Sequence, residues 1–451
     1  MKTLNPLSHS PIHAAVIAGA LLFTANIANA SAIVPAPAQN HPVLLTGGTV
    51  HTVSGAVLEK ADVLFVDGRI AGVGTGLKAP AGAEVVRIDG KHVYPGLIAA
   101  STKLGLIEVE AVRATVDTAE VGTLNPNARA LVAINPDSEL IPVARSNGVL
   151  TALSVPSARP DLIAGLSALI RLDGWTWEDL SIRPAAALHV VWPDLAINRL
   201  PTAPKKPDEQ QKDIDTKLRK LDEAFAAARA YAQARTAATA AGRPAPDTDL
   251  RWEAMVPVFE GKLLVFVHAD EAKQIEAALA WARRQQLKIT LVGGADAALF
   301  ATELHDAGVS VILTGTQILP QRRDDGFDTS FATPELLRQA GVKFCIAGSP
   351  GGASSFGNER NVGYEAAKAV GYGLPHDEAL KAVTLYAAQV LGVGDELGSL
   401  ETGKRATLIV TDGDPLEIPT QVEIAYIDGR RIDLNNRQLA LYDKYRKRLA
   451  R

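Results

Sequence analysis

The sequence predicts an α/β protein in which a (β/α)₈ TIM-like barrel is flanked by a small β-sandwich built from both chain ends. Eight short apolar runs lie between residues 93 and 349, and most are rich in β-branched residues, as expected of strands buried on both faces. The later runs alternate with helical segments, which is the pattern of a parallel barrel. An open doubly wound sheet is the alternative, but no G-x-G-x-x-G motif follows an early strand.

The first 30 residues form a segment of their own. Lys2 is followed by an uncharged apolar stretch and then by Ala28-Asn29-Ala30. A short apolar run ending in an A-x-A site is typical of a cleaved secretory signal, and this run is too short to span a bilayer. We therefore expect cleavage after Ala30 and an exported protein without membrane insertion, located in the periplasm if the source is a Gram-negative bacterium.

The two regions that flank the barrel have the same sequence pattern, that of short β-strands joined by tight turns. Residues 42–94 contain β-branched runs separated by Gly and Asp-Gly turns, the pattern of hairpins, and the same pattern recurs at 396–434. VDGRIAGVG and IDGRRIDL resemble each other, so we expect both regions to join one β-sandwich. A terminal helix is predicted over 435–451.

The barrel is predicted over 95–395, with a helical insertion at 204–245. In that insertion Ile214, Leu218, Leu221 and Phe225 recur at three- and four-residue steps, so one apolar stripe packs against the barrel. The strands assigned to the barrel are the runs VYPGLIAAS, GVLTALSV, GLSALIRL, ALHVVWP, KLLVFVHA, KITLVGG, VSVILTG and VKFCIAGS.

Composition excludes some classes of function. The formal net charge of the 451-residue chain is −4, so there is no basic surplus for nucleic acid, and we expect a small-molecule partner. The charge says nothing about oligomeric state. Cys345 is the only cysteine, which rules out an internal disulfide, and its apolar surroundings predict a buried structural thiol.

Three stretches resemble the amidohydrolase superfamily, especially its imidazolonepropionase-like branch. They are GKHVYPGLI at 90–98, LLVFVHADEAKQI at 263–275 and TLYAAQVLGVGDELGSLETGKRATLIVTDGDPL at 384–416. The resemblance implies a metal-bearing barrel that hydrolyses non-peptide C–N bonds in cyclic amides, ureas or small N-acyl compounds. Because the superfamily also includes dipeptidases, the resemblance leaves a short peptide substrate open.

The metal ligands that this resemblance implies are mostly missing. The Asp-x-His-x-His that follows Pro-Gly-Leu-Ile in the superfamily is replaced here by residues 99–103, which read Ala-Ala-Ser-Thr-Lys. A later histidine falls on Gly293 and the final aspartate falls on Pro350, so His268 alone remains. A divalent metal such as zinc needs about three or four protein ligands. The replacement ligands that the sequence offers are Asp270, Glu271, His305, Glu108 and Glu110.

Two residues are therefore the candidate catalytic pair. The resemblance places Lys103 where a metal would supply positive charge, and desolvation would lower its pKa and make it a base or a fixed cation. We expect His268 to be a general base with a pKa near neutrality. The alternatives are a Lys103 that points to solvent and a His268 that is a hydrogen-bonded core residue.

Substrate contacts are predicted at four further positions. Ser101 and Ser349 offer hydroxyl groups, and Gly293-Gly294 offers backbone N–H groups before a helix. His189 is predicted to be a satisfied core histidine within a strand. Trp175 and Trp177 either line a pocket or pack over the edge of the barrel.

Two functions remain open on the sequence. The first is an exported hydrolase of non-peptide C–N bonds that does not use the usual metal mechanism. The alternative is a non-catalytic exported binding protein, a pseudoenzyme that retains the barrel pocket.

Overall fold

A computed structural model describes residues 34–157, 162–349 and 355–449. The predicted signal peptide at 1–30 and Pro350 lie outside these ranges. Two eight-stranded sheets organise the described chain. None of the helices in the described ranges is both long enough and apolar enough to cross a membrane.

The first sheet contains all eight strands predicted for the barrel. Its order is β13-β12-β11-β10-β9-β8-β7-β6, and the edge strands β6 and β13 lie beside each other, so the sheet is a nearly closed barrel. The strands are β6 (Leu97–Thr102), β7 (Val149–Ser154), β8 (Ile163–Arg171), β9 (Ser181–Val191), β10 (Leu264–Ala269), β11 (Ile289–Gly293), β12 (Ser310–Thr314) and β13 (Phe344–Ala347).

One strand runs against the predicted direction. β8 is antiparallel to both β7 and β9, whereas the other neighbouring pairs of this sheet are parallel. The connections at 155–162 and 172–180 are shorter than the dozen or more residues that a parallel crossover requires. The barrel is therefore not a regular (β/α)₈ repeat over β7 to β9.

The second sheet draws its strands from both ends of the chain, as predicted. Its order is β16-β15-β14-β5-β1-β2-β3, and β4 pairs with β1. The strands are β1 (Val43–His51), β2 (Val57–Val66), β3 (Arg69–Gly74), β4 (Glu84–Arg87), β5 (His92–Pro95), β14 (Leu408–Thr411), β15 (Val422–Ile427) and β16 (Arg430–Arg431).

The two similar sequence stretches form two similar hairpins in this sheet. The β2–β3 turn carries Asp67 and Gly68 and the β15–β16 turn carries Asp428 and Gly429, all with positive φ. Two consecutive residues with positive φ make a type I′ turn, whose twist matches paired strands. The hairpin pattern in the sequence is confirmed at both ends of the chain.

The helices lie between the strands along the chain, and one follows the last strand. They are α1 (Leu140–Arg145), α2 (Trp177–Leu180), α3 (Pro207–Ala240), α4 (Leu250–Phe259), α5 (Ala272–Gln285), α6 (Ala301–Asp306), α7 (Thr329–Gln339), α8 (Val362–Val370), α9 (His376–Ala382), α10 (Leu385–Val390) and α11 (Arg437–Leu449). Within the described ranges, 3₁₀ helices lie at Arg113–Thr115, Ala130–Ala133, Ala297–Phe300 and Ser355–Asn361.

The predicted insertion forms the long helix α3. It buries Ile214, Leu221 and Phe225, and the Phe225 ring meets Trp281 of α5 edge-on at 4.9 Å between centroids. The apolar stripe therefore packs on the barrel's outer layer.

Because side chains alternate in direction along a strand, every second residue of a barrel strand faces the barrel interior. Phe266, Ile312 and Cys345 belong to one buried apolar cluster with residues of β6, β7, β9 and β11. Cys345 is a free, buried thiol, as predicted. This cluster fills the interior below the carboxyl ends of the parallel strands.

Candidate active site

Two histidines stand at inward positions on neighbouring strands. His189 of β9 lies beside Phe266 of β10 in the parallel ladder, and His268 is two residues further along β10. Because side chains alternate along a strand, His268 and Phe266 point to the same face. The His189 ring meets the Phe266 ring edge-on at 5.4 Å, so both imidazoles lie directly above the interior apolar cluster.

The two imidazoles share one hydrogen bond. His189 Nδ1 and His268 Nε2 are 2.8 Å apart. His189 is fully buried, and its Nε2 has no partner among the described residues. We assign the proton to His189 Nδ1, so that the unpartnered Nε2 is a bare acceptor rather than a buried N–H. His268 then carries its own proton on Nδ1.

The side chain of Lys103 approaches the two histidines from a different strand of the barrel. It directly follows β6, and its Nζ donates to the backbone oxygen of Val155 at 2.5 Å. Val155 belongs to the interior apolar cluster. The charge of Lys103 lowers the pKa of both imidazoles, so the three side chains lie close together. We call the end of the barrel that they occupy the barrel mouth. Lys103 and His268 are each partly accessible, which leaves them within reach of a small molecule.

Burial shifts the titration of all three groups. Desolvation lowers the pKa of Lys103 to about 7. Desolvation, followed by the charge of Lys103, lowers the pKa of His268 to about 3. The pKa of His189 is also lowered, by desolvation first and then by His268 and Lys103. At neutral pH both imidazoles are uncharged, and the amine is close to half-protonated.

These shifts correct two predictions. His268 does not titrate near neutrality, and a base with so low a pKa has little driving force to take a proton from water. His189 is not a satisfied core histidine, because one ring nitrogen is unpartnered and the other bonds to His268. The sequence does not show whether a histidine in an apolar strand faces the barrel interior or the outer helices. The signal that would have found His189 is its inward-facing position opposite Phe266 of β10.

Ser349 belongs to a cluster of polar groups around Glu365. Its hydroxyl donates to Glu365 Oε1 at 2.8 Å, and Glu365 also accepts from the hydroxyl of Thr316 and from the backbone N–H groups of Thr316 and Gln317. The donor of Ser349 is therefore engaged with a carboxylate, and its contact with a substrate stays a prediction. Ser101 is half-buried within β6.

The predicted anion-binding turn lacks a free donor at Gly294. Its N–H donates to Ala269 O at 3.0 Å. The space over Gly293 holds the Asp270 carboxylate, since a Cβ added to Gly293 would lie 2.3 Å from Asp270 Oδ1. A substrate carboxylate would meet this negative group, so we do not assign anion binding to Gly293 or Gly294.

The remaining predicted residues lie in varied surroundings. Glu271 caps α5, and His305 Nδ1 bonds to Gly341 O. Glu110 is exposed, and Glu108 Oε1 is buried without a hydrogen-bond partner among the described residues. Trp175 is 63% exposed, whereas Trp177 packs on the core.

A family model described as the amidohydrolase family matches residues 188–433, which is more than half of the chain. The chain belongs to the amidohydrolase family. The superfamily resemblance predicted from the sequence is confirmed.

Two curated relatives illustrate this membership. Amidohydrolase tasK of Hapsidospora irregularis is 25% identical over 399 residues, which cover 82% of this chain and 39% of that protein. The N-substituted formamide deformylase of Arthrobacter pascens is 46% identical over 59 residues, covering 12% of this chain and 11% of that protein. The chain thus spans well under half the length of either relative in these matches.

Solved structures share the fold. An amidohydrolase from Thermotoga maritima matches with a TM-score of 0.75 and 24% identity, covering 87% of this chain and 99% of that one. A prolidase complexed with N-methylphosphonate-L-proline matches with a TM-score of 0.51 and 18% identity, covering 87% and 99%. At these identities the likeness establishes the fold alone.

The described residues do not fit the metal that the family resemblance implies. Within the described ranges, no group of three or more His, Cys, Asp or Glu side chains is placed to hold an ion. The Nε2 of His268 faces His189 Nδ1 across a hydrogen bond, and the remaining basic group of the mouth is an amine whose charge opposes a cation. We therefore derive no step through a metal.

Proposed function

We propose that the chain is an amidohydrolase-family hydrolase that acts on non-peptide C–N bonds, in a cyclic amide or a small N-acyl substrate, with Lys103 activating water. The observation that carries the proposal is a desolvated amine inside the barrel mouth, next to two neutral imidazoles. The mouth lies at the carboxyl ends of the parallel strands, where barrel enzymes place their chemistry.

Lys103 is the group matched to proton transfer near neutral pH. A general base works best when its pKa lies near the working pH, and the pKa of Lys103 is about 7. Its neutral Nζ takes a proton from water while the water oxygen adds to the substrate carbonyl carbon. The resulting ammonium then returns that proton to the departing nitrogen as the C–N bond breaks.

His268 stabilises the oxyanion rather than taking a proton. The bond to His189 engages Nε2, which leaves the Nδ1–H to donate to the developing oxyanion. Such a donor acts strongly in a site that excludes water. His189 holds the tautomer of His268 by donating its Nδ1–H to Nε2.

The substrate class draws on the relatives. Similarity to a protein named as an N-substituted formamide deformylase supports a small N-acyl substrate. The fold neighbour named as a prolidase is the reason to include an Xaa-Pro dipeptide in any substrate panel. The absence of a free anion-binding turn at Gly294 favours an uncharged substrate over a dipeptide.

The test is a hydrolysis panel of N-formyl amines, cyclic amides, cyclic ureas and Xaa-Pro dipeptides. We expect turnover of an uncharged non-peptide amide that survives extensive chelation and is lost in Lys103→Arg. The matched control is Lys404→Arg, because Lys404 is also buried and pairs with Glu401 at 2.9 Å. Its variant should keep wild-type activity.

Three outcomes would contradict the proposal. Activity that chelator abolishes and a divalent metal restores would assign the chemistry to a metal. Preferred turnover of dipeptides would replace the substrate class. Tight binding of panel compounds without turnover would favour the non-catalytic binding protein.

A further inference from the structure

Lys103 is a buried amine without a described counter-ion. Its hydrogen bond is to a backbone oxygen, that of Val155. Lys404 is also largely buried, but it bonds to Gly394 O and Ser399 Oγ and pairs with Glu401. An apolar surrounding without a carboxylate favours the neutral form of an amine. Lys103 therefore differs from Lys404 in having no carboxylate partner among the described residues.

The groups around the Lys103 amine are neutral imidazoles. His189 faces it from β9 and His268 faces it from β10, and these are the titratable groups among the described residues that couple to it. A neutral amine that gives one N–H to Val155 O keeps its lone pair free. The interior apolar cluster beneath it and the partial accessibility of its side chain suit a small, uncharged compound.

We propose that Lys103 forms an imine with small uncharged aldehydes or ketones that enter the barrel mouth. This covalent activity goes beyond amide hydrolysis, since it uses the same amine as a nucleophile rather than as a base. Lysines desolvated in apolar pockets are activated for this chemistry.

The reaction balances without an oxidant or a metal. The Nζ lone pair attacks the carbonyl carbon, a C–N bond forms, and a proton moves from nitrogen to oxygen to give a carbinolamine. The C–O bond then breaks as a further proton reaches the oxygen, water leaves, and the C=N bond forms. Both protons of the departing water come from the two N–H groups of Nζ, and the Nδ1–H of His268 donates a hydrogen bond to the substrate oxygen without leaving the ring.

Reductive trapping tests the inference. The mature protein is treated at pH 7 with substoichiometric propionaldehyde and sodium cyanoborohydride, which reduces the imine to a stable propyl-lysine. Peptide mapping by mass spectrometry then compares Lys103 with Lys262, whose side chain is 73% exposed. A neutral fraction near one half at Lys103, against the small fraction of an ordinary lysine, predicts labelling of Lys103 at least about tenfold faster.

Two lysine variants serve as controls. Lys404→Arg should retain fast labelling and Lys103→Arg should lose it. If Lys103→Arg does not fold, the pH profile of the wild-type protein decides: labelling of Lys103 should rise through about pH 7 and level off above it. Labelling of Lys103 no faster than Lys262 overturns the inference. Trapping does not require turnover, so its failure is separable from failure of the hydrolysis panel.

Discussion

Replacing Lys103 by methionine should make the protein more stable at neutral pH. The folded state lowers the pKa of this amine from 10.5 to about 7, so between these values the unfolded chain binds more protons than the folded one. Stability of the wild-type protein therefore rises with pH across that window. At about 1.4 kcal/mol per pKa unit, holding the amine inside the barrel costs the folded state about 4 kcal/mol at pH 7.

The net gain is smaller than this cost. Methionine is similar in length and has no charge, but it leaves the Val155 oxygen without its donor, which costs about 1 kcal/mol. We therefore expect Lys103→Met to raise the free energy of unfolding by about 3 kcal/mol at pH 7. By pH 9 the cost that the substitution relieves should have fallen to about 2 kcal/mol, leaving a gain of about 1 kcal/mol.

Urea denaturation at a series of pH values measures this difference. Lys404→Met is the contrasting variant, because it removes a buried lysine that bonds to Ser399 and pairs with Glu401 and should lower stability. A Lys103→Met protein that is less stable than wild type at pH 7 would refute the reasoning. Lys103 would then be a structural cation, and its role as a base would have no physical support.

Further predictions concern the rate, the core and the N-terminus. The kcat/KM of hydrolysis should rise through about pH 7 as free Lys103 becomes neutral, and a flat profile from pH 6 to 9 would contradict a lysine base. Asp173→Asn should lower the free energy of unfolding, measured in urea, by about 3–5 kcal/mol, because Asp173 pairs with the buried Arg145 and with Arg430. The control Asp377→Asn changes an exposed residue and should cost under 1 kcal/mol. Equal losses in the two variants would argue against the buried pair. If residues 1–30 are a signal, intact mass of protein exported by a bacterial host should begin at Ser31; an uncleaved chain would refute export by this route.

Much of the fold could be predicted because its signals are local. Short apolar runs, most of them rich in β-branched residues, marked all eight barrel strands, and Asp-Gly turns marked the two type I′ hairpins. The reversal of β8 was not predicted, because periodicity describes burial and carries no strand direction. Only the shortness of the connections at 155–162 and 172–180 pointed toward antiparallel pairing.

The candidate site was less accessible to sequence reasoning, since it depends on what surrounds each group. Lys103 and His268 were found through the resemblance to the superfamily's metal-ligand positions, but their pKa order depends on desolvation by the barrel interior. The sequence favoured His268 as the base because an isolated imidazole titrates near neutrality. Burial reverses the two roles, and it also recruits His189, whose neighbours come from a strand far away along the chain.

A lysine in place of metal ligands restricts the chemistry in a way that favours particular substrates. A metal can polarise a carbonyl and activate water at once, whereas Lys103 acts as a base only when it is neutral and then supplies no positive charge. The oxyanion must therefore rely on the Nδ1–H of His268, one neutral donor. Amides whose carbonyl is already electrophilic, such as N-formyl groups or strained cyclic amides, need least of this stabilisation. An unstrained dipeptide bond needs most, so the same geometry that permits a lysine base favours the small N-acyl class.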